Sequence, residues 1–281
     1  MDRREWMMTA AAALAAAPLA GQGGKMERAL IDSMLPKELD LVDRFKLAIE
    51  TGFTAMEVRA VADDSEAERI HDAAQAAGLR IHSVMNQTHW RHPLSSPDPA
   101  EVEACVEGMR ASLRQAELYG ADAVLLVPAV VRSDTTYEQA WKRSQREIRK
   151  LIPLAEKHDV MIAVEDVWNK FLLTARDFRQ FIDELNHPLV QAYFDVGNIV
   201  HFAVPEHWIH ELGSRIVKVH LKDYSRRDGF VNLGEGDVDW PAVREAFAAV
   251  GYNAEATVEL RGGDRAYLMD LGERVDRLLG L

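Results

Sequence analysis

One cysteine, Cys105, is present in 281 residues, so no intramolecular disulfide can staple the fold. It lies in the helical pattern "EVEACVEGMRASL", where a lone cysteine is a small core residue rather than a nucleophile. Basic charge is also scarce: 33 Lys and Arg stand against 45 Asp and Glu, a formal net charge of −12. Nucleic-acid binding needs a surplus of Lys and Arg facing phosphates, so this balance argues against such a partner. Beyond the first residues no apolar run is long enough to span a membrane. No glycine-rich phosphate loop follows the first strand-like segment, which disfavours an open, doubly wound nucleotide-binding sheet. Linkers and low-complexity segments are missing too, and the chain reads as one domain after its N-terminal leader.

What is present is a 48% hydrophobic chain, enough for a large core and close to the ~250 residues usual for one (β/α)8 barrel. The N-terminus differs from the rest. "MDRREWMMTAAAALAAAPLAG" carries the Arg3-Arg4 pair, then an alanine-rich apolar stretch, then small residues. That layout resembles a twin-arginine export signal, expected over residues 1–24, with the catalytic domain over 25–281. The expected location is the periplasm or outside the cell, and the cytoplasm if the leader is not such a signal.

From about Lys25 onward, short apolar runs alternate with longer amphipathic patterns. The strand candidates are "ALIDSML", "AMEVR", "LRIHSVM", "AVLLVP", "VMIAVED", "VQAYFDV", "RIVKVHL" and "AEATVEL". Helical patterns such as "SEAERIHDAAQAAG" and "TYEQAWKRSQREIRKLIPLAEKHD" lie between them and end in Gly or Asp, as helix C-termini commonly do. Repeated strand–helix alternation implies a parallel sheet, and closing it into a barrel removes both edges. The expected fold is therefore α/β, a single (β/α)8 TIM barrel.

In such barrels the chemistry sits at the C-terminal ends of the strands. The fifth candidate ends with Glu165, the sixth with Asp195, the seventh with His220 and the eighth with Glu259. A single acid there would cap the next helix or pair with a lysine. Bringing three carboxylates together without a cation would force some of them to protonate. One imidazole with three carboxylates suits a divalent ion such as Mn²⁺, Mg²⁺, Co²⁺ or Zn²⁺, the expected cofactor.

The motifs "AVEDVWN", "YFDVGN", "VHLKD", "LGEGDVDW" and "TVEL" together resemble the xylose-isomerase-like barrel superfamily of sugar and sugar-phosphate isomerases and epimerases. The likeness covers nearly the whole chain after the leader and is strongest to the L-ribulose-5-phosphate (L-xylulose-5-phosphate) 3-epimerases. "THWRHPLSS" is similar to their substrate-binding segment. The resemblance implies that Glu165, Asp195, His220 and Glu259 hold the metal, and that Glu165 and Glu259 are also the catalytic proton-transfer pair. It further implies that His89 contacts substrate and that Glu57 lines the pocket. Epimerisation beside a carbonyl fits these residue types: a metal stabilises the enediolate, and two acids serve the two faces.

Weaker substrate-binding candidates follow from position and, for Asn198, from the resemblance. Lys222 would hold a sugar hydroxyl or phosphate, or else lie on the surface or pair with Asp223. Arg226 or Arg227, in "DYSRRDGF", would reach an anionic substrate or else be solvated loop residues. Asn198 stands where some related epimerases carry a histidine, and His201 is close by. Trp90 and Trp168 would wall the site or else cover the barrel rim, Glu235 would order the "LGEGDVDW" loop, and Asp239-Trp240-Pro241 reads as a helix start. The partner expected is a sugar or sugar phosphate, with a homo-oligomer left open. An aldose–ketose or hydroxypyruvate-type isomerase, a keto-sugar dehydratase or lyase, and a sugar-binding protein without turnover are the competing readings. An endonuclease of the same superfamily would need more histidine ligands and a basic groove, and neither is found.

Overall fold

The computed structural model describes residues 25–281; the expected export signal, 1–24, lies outside the described residues. The chain alternates β1 (Glu27–Ile31), α1 (Leu41–Glu50), β2 (Ala55–Arg59), α2 (Asp64–Ala77), β3 (Arg80–Met85), α3 (Pro99–Tyr119), β4 (Ala123–Leu126), α4 (Tyr137–His158), β5 (Met161–Glu165), α5 (Ala175–Leu185) and β6 (Val190–Asp195). It continues through α6 (Val196–Val200), α7 (Pro205–Leu212), β7 (Ile216–Leu221), β8 (Asp223–Ser225), β9 (Gly229–Val231), α8 (Trp240–Val250), β10 (Glu255–Val258) and α9 (Arg265–Leu279). The strands β1-β10-β7-β6-β5-β4-β3-β2 close into a parallel barrel, as expected of the (β/α)8 fold.

Local chemistry sets the helix ends. Asp63, Asp98, Thr174, Asp239 and Asp264 accept backbone N–H bonds at helix starts, and Thr136 with Gln139 forms a reciprocal cap on α4. The stops are left-handed residues: Gly78, Gly120, Asp159, Asn186 and Gly251.

Two departures from the sequence expectation matter. The first run, "ALIDSML", is a strand only to Ile31, because Asp32–Met34 turn into a 3₁₀ helix. Asp32 instead pairs with Arg59 at 3.0 Å and takes the Arg44 guanidinium on its carbonyl at 3.1 Å. The segment "DYSRRDGF", expected to be a loop, forms the antiparallel hairpin β8–β9 over the barrel rim.

Strand periodicity divides each strand between two environments. In β4 and β5, Val124, Leu126, Ile162 and Val164 face outward into the main core, against the helices. Ala123, Leu125, Val127 and Ala163 face inward, with Tyr193. The same alternation carries Glu165, Asp195, His220 and Glu259 to the inward rows at the C-terminal ends. Lower in the barrel the inward rows are polar. Lys218, 1% exposed, lies 2.7 Å from both Glu255 Oε2 and Asp122 Oδ1, and Arg80 pairs with the second Glu255 oxygen at 2.5 Å. The polar floor was not expected from the apolar runs that surround it.

Candidate metal centre

Neighbouring strands assemble the site through their register. Asp195 on β6 pairs with His220 on β7, and His220 pairs in turn with Thr257 on β10, two residues before Glu259. Glu259 extends that ladder, its N–H donating to Leu221 O at 3.2 Å. One potential ligand atom from each of Glu165, Asp195, His220 and Glu259 lies within 4.8 Å of all the others. His220 Nδ1 faces the carboxylates at 2.9 Å from Glu259, 3.1 Å from Glu165 and 4.0 Å from Asp195. Asp195 and His220 are fully buried, and Glu165 is nearly so.

The surroundings fit a cation. Asp195 Oδ2 and Glu259 Oε2 are buried without a donor at hydrogen-bonding angles. Lys222 Nζ nevertheless lies 2.8 and 2.6 Å from these same oxygens, an ion-pair separation. Lys222 is therefore neither a surface residue nor the partner of Asp223, the two alternatives its position suggested. Asp223 is spent elsewhere: it accepts from Gly234 N–H at 2.8 Å and Trp240 Nε1–H at 2.9 Å, which ties the "LGEGDVDW" loop to the hairpin. Gly197 permits the lysine's placement, since a Cβ there would meet Lys222 Cβ and lie 2.8 Å from its carbonyl carbon.

Electrostatics separate the two glutamates. Burial pushes the Glu165 carboxyl up to about 7, against the opposing pull of His220 and Lys222. Burial acts on Glu259 in the same sense, but the charges of His220 and Lys222 prevail and hold it well below the usual carboxylate range. Burial lowers His220, and the carboxylates of Glu259 and Glu57 more than reverse that, leaving it well above an ordinary histidine. Desolvation and then the neighbouring Asp195 charge raise Asp166 well above its usual range. Asp166 Oδ1 accepts the Asp195 N–H at 2.9 Å and so fixes the backbone of that residue.

The remaining sequence candidates fall into distinct places. Glu57 reaches the site from β2, but its Oε1 meets His220 Nε2 at 3.0 Å rather than opening onto the mouth. His89 is buried, and its Nδ1 accepts the Val127 N–H at 3.2 Å, which places the ring proton on Nε2. Burial holds it neutral, lowering it to about 3. The Asn198 side-chain amide donates to Asp166 O at 2.9 Å, while the Asn198 backbone carbonyl takes the Trp168 indole N–H at 2.9 Å. Arg226 is exposed at the hairpin turn, with its N–H on Asp237 at 2.8 Å, and Arg227 is exposed beside it. Glu235 pairs with Arg274 of α9 at 3.0 Å, which anchors the loop.

At the rim, Trp168 stacks on Phe230 of β9 with centroids 5.0 Å apart and planes 17° apart. His201 lies 4.5 Å from the same indole and 4.9 Å from Tyr224. The segment that carries Trp168 holds Lys170 and Leu172 at φ of 62° and 52°, conformations uncommon for such residues. Asn169 braces it, donating to Ala129 O at 2.7 Å and accepting the Phe171 N–H at 3.0 Å. The hairpin aromatics Tyr224 and Phe230 were not singled out from sequence, because nothing in "DYSRRDGF" marks it as part of a sheet.

Residues 45–275 match the family described as the xylose isomerase-like TIM barrel. The chain belongs to that family. Among curated proteins, the chain is 24% identical over 244 residues to the L-ribulose-5-phosphate 3-epimerase of Escherichia coli, covering 82% of this chain and 86% of that one. The enzyme of the same name from Salmonella paratyphi A is 25% identical over the same length and coverage. Among solved structures, 3-keto-D-glucoside 4-epimerase from E. coli superposes with a TM-score of 0.78 at 16% identity, over 92% of this chain and 100% of that one. D-allulose 3-epimerase from Methylomonas, solved with D-allulose, gives 0.75 at 18% identity, over 92% and 97%. These superpositions establish the shared fold. No described helix is long and apolar enough to cross a membrane.

Proposed function

We propose that the protein is a divalent-metal-dependent sugar epimerase, a ketose or ketose-phosphate 3-epimerase. The observation that carries this reading is the gathering of Glu165, Asp195, His220 and Glu259 at the C-terminal rim, with ligand atoms mutually within 4.8 Å. A bound Mn²⁺, Mg²⁺, Co²⁺ or Zn²⁺ would polarise the ketone and make the neighbouring C–H more acidic. Asp195 and His220, fully buried, would serve as fixed ligands. Glu165 and Glu259 come from β5 and from the end of β10, so their carboxylates approach the site from separate walls of the barrel. One would remove the proton beside the carbonyl, leaving an enediolate, and the other would return a proton to the opposite face. The buried His89, with its proton on Nε2, would donate to a substrate oxygen. Trp168 and Phe230 would cover one side of the sugar.

The epimerase names of the curated relatives support this chemistry, and their printed substrate supports a ketose phosphate; the solved neighbours include enzymes named for free ketoses and for a keto-glucoside. Activity of the metal-reconstituted protein on matched free and phosphorylated ketoses decides between these. Glu165→Gln and Glu259→Gln should each lower turnover by about 10²- to 10⁴-fold while ligand binding survives. Turnover that persists in both variants would refute the assignment of the bases. We further infer that residues 1–24 direct export. Mass spectrometry of the protein recovered from its native host tests this: an intact Met1 in a cytoplasmic fraction would contradict it.

A further inference from the structure

The His220 imidazole is held from both sides. Its Nδ1 faces the ligand carboxylates, whereas its Nε2 lies 3.0 Å from Glu57 Oε1, across the barrel on β2. Glu57 is 1% exposed, and its second oxygen accepts a hydrogen bond from Ser83 Oγ at 2.6 Å. The β2–β3 register shifts between Met56 and Glu57, so that Glu57 pairs with Ser83 and His82 is passed over. Irregularities of this kind re-aim a side chain. The Tyr193 ring packs 4.4 Å from the imidazole and limits its rotation. A carboxylate buried this deeply is costly unless its oxygens are hydrogen-bonded, and here both are engaged within the protein. Neither is left free to meet a sugar.

We propose that Glu57 is a positioning residue for His220 rather than a substrate contact: it holds the ring proton on Nε2 and so presents the Nδ1 lone pair to the metal. A neutral imidazole donates from only one nitrogen, and a carboxylate only accepts. The Glu57 contact therefore selects the tautomer and aims the ring at once. The inference rests on the metal reading of the cluster.

The test pairs metal affinity with a spectroscopic signature. Metal-free protein is titrated with Mn²⁺, with free ion followed by EPR, and the Zn²⁺-loaded protein is examined by histidine ¹⁵N NMR. Wild type should show a slowly exchanging His220 Nε2–H. Glu57→Leu should lose that signal and bind Mn²⁺ about 10- to 100-fold more weakly, the range typical of lost outer-sphere partners. Glu57→Gln keeps an accepting oxygen and should retain the signal with a loss below about tenfold. If Glu57→Leu does not fold, Ser83→Ala carries the test, since it removes the donor that aims the carboxylate; a roughly two- to tenfold loss is expected. Affinity unchanged in Glu57→Leu or, failing that variant, in Ser83→Ala would overturn the proposal. So would a Glu57→Leu protein with intact metal affinity and only a raised KM. Glu57→Gln as weak as Glu57→Leu would also contradict it, because charge rather than direction would then matter. Wild-type protein that takes up no Mn²⁺ would instead refute the metal centre itself, and the inference with it.

Discussion

At the proposed centre Lys222 and a divalent ion would compete for the same oxygens, and replacing the lysine would expose that competition. In the metal-free protein its ammonium is the nearest cation to Asp195 Oδ2 at 2.8 Å and Glu259 Oε2 at 2.6 Å. Asp195 is fully buried, while the Lys222 and Glu259 side chains are only 15% and 24% exposed. Burial works against the ammonium, but Asp195 and Glu259 raise Lys222 well above its ordinary range, so it stays charged throughout the working pH range. Removing one member of a buried pair costs about 3–5 kcal/mol. His220 still faces both acids and Glu259 is partly hydrated, so the lower end, about 3 kcal/mol, applies to Lys222→Met. For a domain of this size that is a Tm lower by roughly 6–12 °C. A bound ion compensates the same oxygens, so with saturating Mn²⁺ the gap should shrink to about 1 kcal/mol. Linkage then requires tighter metal binding by the variant: a 2 kcal/mol difference corresponds to about 30-fold. Thermal unfolding of both proteins with and without Mn²⁺, together with EPR titration, measures the four corners of this cycle. An equal gap with and without metal, or weaker Mn²⁺ binding by Lys222→Met, would refute the reasoning.

Two further outcomes follow from the packing and titration of residues around the site. His89 is held near 3 in the folded chain by burial, against 6.5 for the free group. Between those values the unfolded chain binds the extra proton, so stability falls as pH drops through that window, by up to about 5 kcal/mol in all. His89→Asn keeps an acceptor for the Val127 N–H and cannot titrate there, so urea midpoints measured from pH 7 to pH 4 should show a shallower slope than wild type; parallel slopes would contradict this. Gly197→Ala places a methyl group against Lys222 with its carbonyl carbon 2.8 Å away. An overpacked backbone contact of this kind costs about 1–3 kcal/mol, and denaturant unfolding at wild-type stability would show that the two segments part freely.

The barrel was legible because its helix-facing residues are apolar at every second position. Val124, Leu126, Ile162 and Val164 mark strands whichever way the intervening residues point. Glu165, Asp195, His220 and Glu259 stood out for the same reason, as polar residues where apolar runs stop. Lys218 and Glu255 lie within such runs, and sequence offers no sign that each would find the other in the barrel floor, 37 positions apart. The hairpin escaped notice because its anchor is long-range: Asp223 takes N–H groups from Gly234 and Trp240. Glu57 was visible as an acid ending the second strand, yet its partner could not be read. The register shift that aims it depends on how β2 and β3 pair, which no local pattern encodes. Lys222 was ambiguous because its place two positions after His220 does not say what it pairs with, and the same inward row brings both to the cluster.

The most direct test of the proposed chemistry is proton exchange during turnover. The Mn²⁺-loaded protein is incubated with the accepted keto-sugar in D₂O, and the products are resolved by NMR. Proton removal and return from two faces predicts inversion at C3 with one solvent deuterium at that carbon, abolished by chelation and restored by Mn²⁺. Label confined to C1 or C2, inversion without deuterium, or undiminished turnover in the chelated protein would contradict the account.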